Sequence, residues 1–214
     1  MMKKITLGLI SVLALLPIGQ VDAFDLIETQ SLVTSVAAGQ VPPISERVPA
    51  EPSIVEFQGK TAVPGQQGGK LNILMARKKD TRQMVVYGYA RLVGYDPKFN
   101  IKPDILKKIE VKEGRIFTMH LRQGHKWSDG HPFTAEDFRY YWEDVATNEE
   151  VRNESPPASM IVDGERPKFE VLDDVTIRYS WSKPNPFFMP RLAGARPLYL
   201  YRPAHFMKKY HAKY

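Results

Sequence analysis

Between Phe117 and Val145 the hydrophobic period of the chain switches from two to about 3.6. Phe117, Met119 and Leu121 alternate with Thr118, His120 and Arg122, the pattern of a half-buried strand. Ser128-Asp129-Gly130 then supplies turn chemistry, with a glycine that accepts positive φ. Thr134-Ala135-Glu136-Asp137 opens a helix, the Thr hydroxyl serving as N-cap and the acidic groups lying in the first turn. Phe138, Tyr141, Trp142 and Val145 follow at i, i+3, i+4 and i+7, one apolar face of that helix. The stretch predicts a strand–turn–helix unit.

The flanking patterns divide the rest. Asp25 to Ala38 reads as a short helix ended by Gly39. Val41 to Gly69 holds Pro42, Pro43, Pro49, Pro52 and Pro64, then Gly65, Gly68 and Gly69, and predicts an extended strap with a short strand at Ile54–Phe57. Leu71 to Met75 reads as a buried strand, Ala76 to Arg82 as the polar loop at its end, Met84 to Val93 as a short helix, and Ile101 to Lys108 as a turn or helix. Ile109–Lys112 and the run from Ile116 form a hairpin around Glu113-Gly114. A second hairpin pairs Phe169 and Val171 with Val175, Ile177, Tyr179 and Trp181. Asn185-Pro186 starts a short helix through Leu192, and Pro203 to Tyr210 starts another.

The N-terminus changes the setting. Met1-Met2-Lys3-Lys4 is a positive n-region, Ile5 to Ile18 an apolar core, and Val21-Asp22-Ala23 ends in a small residue. Residues 1–23 therefore read as a cleaved secretory signal, the apolar run being shorter than the roughly 20 residues that span a bilayer. The formal charge of +6 falls to +5 once that segment, with two Lys and one Asp, is removed. The basic runs are short and scattered, which predicts a solvated surface and no nucleic-acid partner.

Candidate chemistry is sparse. The chain has no cysteine, which excludes thiolate metal sites, cysteine nucleophiles and disulfides. His120, His125 and His131, and separately His205 and His211, lack the i, i+4 spacing of a zinc helix. Asp129, Glu136 and Asp137 each have a local job in the turn or helix start. GxSxG, P-loop and GxGxxG patterns are absent, so neither an enzyme nor a cofactor is expected. Tyr140, Tyr141, Trp142, Trp181, Phe187 and Phe188 are spaced for core packing, with stacking on a ligand as the other reading. The remaining candidate is Ala76-Arg77-Lys78-Lys79-Asp80, because ligands collect beyond the carboxyl ends of strands in open α/β sheets; a plain solvated basic loop is the alternative.

The wording of the chain adds a resemblance. IFTMHLRQGHKWSDGHPFTAEDFRYYWED resembles the segment of family 5 extracellular solute-binding proteins that runs from a strand ending in HLR through a WSDG turn to a helix opened by FTAEDV. Leu71–Met75 resembles the family's first strand, Tyr89-Ala90-Arg91-Leu92-Val93 with Tyr95-Asp96 the phrase after it, and Lys168–Phe188 its later hairpin. The strap AAGQVPPISERVPAEPSIVEF resembles that of a long-chain branch. The resemblance implies an α/β periplasmic-binding-protein-like fold (type II, family 5): an incomplete first lobe with its inserted subdomain, covering 70–214 after the helix and strap of 24–69. It implies a periplasmic component of a peptide-type ABC importer, a truncated or fragmentary copy whose partners are a peptide or similar solute and a permease with its ATPase. A non-transporting product that needs a separate C-terminal chain to form a clamp is the alternative. Met75, Ala76 and Arg77, and more weakly Tyr87, correspond to positions facing the ligand, whereas Trp127, Asp129 and Gly130 correspond to structural ones.

Overall fold

The computed structural model describes residues 26–55, 63–82, 84, 89–151 and 155–214. The expected signal segment 1–23 lies outside them, as does Tyr87. Among the described residues, no helix is long and apolar enough to cross a membrane.

The core is a four-stranded antiparallel sheet in the order β3-β4-β6-β5, made of β3 (Leu106–Lys112), β4 (Ile116–Leu121), β5 (Lys168–Asp173) and β6 (Thr176–Ser180). Both expected hairpins form. In the first, Glu113 and Gly114 take φ of +55° and +62°, the paired left-handed conformation whose twist suits a tight connection. Register places Phe117 opposite Tyr179 and Met119 opposite Ile177, so the alternating apolar set lands on one buried face. On the other face, Arg178 Nε donates to Thr118 Oγ1 at 3.2 Å. A separate pair, β1 (Val93–Tyr95) and β2 (Ile101–Pro103), precedes the sheet.

The helical pieces divide between the N-terminal strap and the buried face of the sheet. Helix α1 (Val33–Ala37), led by a 3-10 turn from Gln30, ends at Gly39 with φ +68°; α2 (Ile44–Arg47) lies inside the strap. Helix α3 (Ala135–Arg139) passes directly into a π-helix at Tyr140–Ala146. Helix α4 (Phe188–Ala193) starts after Asn185, whose side chain accepts from Phe187 N at 3.1 Å, and α5 (Ala204–Met207) ends in a 3-10 turn. Phe188 inserts edge-on against Phe117 (4.8 Å) and Trp181 (5.2 Å), and Trp142 meets Tyr179 edge-on at 5.7 Å. Each such ring, fully buried, contributes roughly 1.5–3 kcal/mol, and the perpendicular geometry adds to that.

Four expectations fail, two of them tested only in part because residues 56–57 and 85–88 lie outside the described ones. Leu71–Met75 is not a buried strand: Leu71 is 72% and Leu74 101% exposed, and no backbone group of the run is hydrogen-bonded among the described residues. An apolar run becomes a strand only beside a partner, and no described strand lies next to it. Ile54 and Val55 likewise form no strand. Where a helix was expected to reach Val93, Val93 begins β1; and Ile101–Lys108 is β2 followed by the start of β3. In both places the short runs take their conformation from cross-strand pairing that periodicity over a few residues does not reveal.

The π-helix is the other departure. Its wider turn is closed by Thr147 N donating to Trp142 O at 3.1 Å, with Thr147 Oγ1 on the same carbonyl at 2.7 Å. Tyr140, Tyr141, Trp142 and Asp144 are all buried as a result, more than a strict 3.6-residue stripe would cover.

Candidate functional site

The predicted ligand-facing stretch lies in the open. Met75, Ala76 and Arg77 are consecutive and exposed, just before a 3-10 turn at Lys78–Arg82. That turn closes on itself: Arg77 N donates to Asp80 Oδ2 at 3.0 Å and Asp80 N to Arg77 O at 2.9 Å. The argument from strand carboxyl ends loses its footing here, because no strand precedes the loop among the described residues. Arg77's side chain makes no ion pair among the described residues, so its guanidinium stands ready for an anionic or polar group. Tyr87 falls outside the described residues.

The polar organisation sits elsewhere, around the turn between β4 and α3. Trp127 N donates to His131 O at 2.8 Å and Gly130 N to Trp127 O at 2.9 Å, with Gly130 at φ +86°. Asp129 Oδ1 accepts from His131 N at 3.1 Å. Thr134 caps α3, accepting from Glu136 N, while Asp137 reaches back to Thr134 N at 3.0 Å to complete a capping box. Buried Asp137 does more than that. Its carboxylate also accepts the Trp127 indole at 3.0 Å and Ala204 N at 3.0 Å, tying turn, helix and α5 together.

Two further clusters escaped sequence reasoning because their members are far apart along the chain. His205 on α5 bonds Asp129 (2.6 Å), and its ring stacks flat on His131 with centroids 3.8 Å apart. The His205 bond holds the Asp129 carboxyl below its usual range. In the second, burial pushes the Asp144 carboxyl up, but Lys213 (2.5 Å), the Tyr214 hydroxyl (2.8 Å) and Arg139 (3.0 Å) bring it down overall. Glu136 is lowered too, chiefly by Arg139 with Lys208 assisting. Half-buried Tyr201 is raised to about 12, chiefly by loss of water around it. Among the described residues no group of His, Asp or Glu is arranged to hold a metal. These clusters fasten elements to one another, and none places a base beside a nucleophile.

The strap is fastened in the same manner. Glu28 pairs with Arg47 and accepts from Ile44 N (3.0 Å). Ala50 N donates to Gln123 O (3.1 Å), Arg122 donates to Glu51 O (3.0 Å), Lys126 to Glu46 O, and Lys107 pairs with Glu51 (2.5 Å).

Residues 100–213 match the model of the bacterial extracellular solute-binding proteins, family 5. The periplasmic alpha-galactoside-binding protein of Rhizobium meliloti is 27% identical over 200 residues, covering 84% of this chain and 28% of its own length. The periplasmic oligopeptide-binding protein OppA of Salmonella typhimurium is 36% identical over 101 residues, covering 40% of this chain and 18% of its own. A solved oligopeptide-binding protein OppA superposes with a TM-score of 0.72 at 30% identity, over 89% of this chain and 29% of that one. The chain thus spans less than a third of the length of these relatives. With the sheet, the capped WSDG turn and these matches in agreement, the chain belongs to the family 5 bacterial extracellular solute-binding proteins and carries part of a periplasmic-binding-protein lobe.

Proposed function

We propose that this chain supplies the first-lobe part of a periplasmic, peptide-type solute-binding protein that delivers its ligand to an ABC permease and ATPase. The observation that carries the reading is the superposition on an oligopeptide-binding protein along nearly the whole chain. Met75 and Ala76 present main chain with no hydrogen-bond partner among the described residues, and Arg77 an unpaired guanidinium, a surface suited to a peptide's polar groups; Tyr87 is a weaker contributor. A clamp works by closing two bodies over a ligand, so these residues bind tightly only with a second lobe opposite them. That lobe comes from the same polypeptide or, in the alternative reading, from a separate C-terminal chain. The broad match to an alpha-galactoside-binding protein favours a second solute class, an oligosaccharide.

Calorimetry tests both points. The 214-residue chain alone is expected to show no micromolar affinity for short peptides or for α-galactosides, and the two-lobed protein to bind one class. Micromolar binding by the 214-residue chain overturns the need for a second lobe. Binding of galactosides without peptides by the two-lobed protein replaces the peptide reading.

A further inference from the structure

The strap is gripped by one short run of chain, Arg122 to Lys126, directly after β4. Arg122 Nη1 donates to Glu51 O at 3.0 Å, Gln123 O accepts from Ala50 N at 3.1 Å, and Lys126 Nζ donates to Glu46 O. Gly124, at φ +78°, lets the two backbones come together, since a Cβ there would press on Ala50 N at 3.4 Å. The remaining member of the run, His125, lies in the midst of these contacts and is its only imidazole.

His125 is half-buried, its ring edge-on to Phe133 with centroids 5.5 Å apart. Burial first, and the Arg122 guanidinium second, hold the imidazole below its ordinary range, with Asp104 pulling the other way. Arg122 is itself tethered at two points, Nε to Asp104 O at 3.1 Å and Nη1 to Glu51 O at 3.0 Å. The second tether belongs to the strap. The strap thus helps to fix the cation that opposes a proton on His125. Coupling of this kind is reciprocal: as far as the closed strap disfavours the proton, the proton disfavours the closed strap.

The other charged and titratable groups about the run do little to relieve it. Lys126 adds a second cation, and Glu46 meets the run through its carbonyl. The Glu51 carboxylate is paired with Lys107 of β3 at 2.5 Å. Tyr201, behind Phe133, is raised to about 12 and stays neutral wherever an imidazole titrates.

We propose that His125 is a proton-operated release for the strap: a neutral ring leaves the strap closed on residues 122–126, and a protonated ring frees it. The strapped form binds fewer protons than the released one. Its grip is therefore full above the ordinary imidazole value of about 6.5 and weakens as pH falls below it. The device lies wholly in contacts within this chain and does not depend on which solute the protein carries.

The test uses the 214-residue chain and follows the Ala50 amide by hydrogen exchange, as protection relative to the unfolded chain at each pH. Between about pH 8 and pH 5 that protection is expected to fall at least about fivefold, while amides of β4 and β6 keep theirs. His125→Gln is expected to make it independent of pH over the same range. A second variant reads the coupling from the other side. Ala50→Pro removes the N–H that Gln123 accepts, and the pH at which the His125 ring titrates, followed by NMR, is expected to rise. A flat Ala50 profile in the wild type, a fall that persists in His125→Gln, or a His125 titration unmoved by Ala50→Pro each overturns the release.

Discussion

Tyr179 shows how a single residue can be legible in type and opaque in consequence. Its place in the alternation Val175, Ile177, Tyr179 assigns it to the buried face, where it lies fully enclosed opposite Phe117. Its hydroxyl has no hydrogen-bond partner among the described residues, and burial raises its pKa well above the usual value. Tyr179→Phe should therefore leave stability unchanged or raise it by about 1 kcal/mol in urea denaturation, since it removes a desolvated group and keeps the ring. Gly130 is the opposite case. Nothing lies within 4 Å of a Cβ built there, so only φ +86° opposes a side chain. Gly130→Val should cost about 1–2 kcal/mol through backbone strain alone, and Gly130→Asn clearly less; equal stability of all three proteins would refute the turn assignment. Asp137 reads from sequence as a helix-start acid, and it is one. Its grip on Trp127 and Ala204 stayed hidden because the latter is 67 residues away.

At the scale of elements, the sequence was readable where strands beside their hairpin partners are long enough to alternate, and unreadable where they are too short to show a period. β3 to β6 follow from pattern, while β1 and β2 are three residues each and need one another. The π-helix was invisible because the 3.6-residue stripe and the wider one share Phe138, Tyr141 and Trp142. Its product, the buried Asp144, anchors the segment after α5 together with Glu136. Both carboxyls are lowered in the folded protein. Their stabilisation is complete above the unfolded carboxylate pKa and is lost as pH falls through the lower folded values, from about pH 4 downward. Hydrogen exchange in Lys208–Tyr214 should accelerate over that window ahead of exchange in β4 and β6. Asp144→Asn should bring the same acceleration at neutral pH; if it leaves exchange there unchanged, the anchor is assigned to the wrong group.

For the whole molecule, family and fold were legible because the WSDG turn, its cap and the two hairpins are local and complete. The ligand site was not. The proposed residues Met75, Ala76 and Arg77 sit on a loop whose preceding run, Leu71–Met75, stays unpaired among the described residues, and the chain spans less than a third of the length of its solved relative. An exposed apolar run with free backbone groups is also a template for intermolecular pairing. Asn72→Lys with Leu74→Lys should raise the solubility of the 214-residue chain without moving its melting temperature, as judged by light scattering and circular dichroism.

The strap's fastening to the β4–α3 turn carries a consequence in time. The Arg122–Glu51 bond joins residues 71 apart, and the neighbouring Ala50–Gln123 bond closes the same large loop. Closing a loop of that length is entropically expensive, and the contacts rewarding it are few and exposed. The strap should accordingly settle after the sheet has formed, and in a chain emerging N-terminus first it waits until the turn arrives. Arg122→Ala should therefore hasten unfolding in stopped-flow experiments while the refolding rate stays as it was.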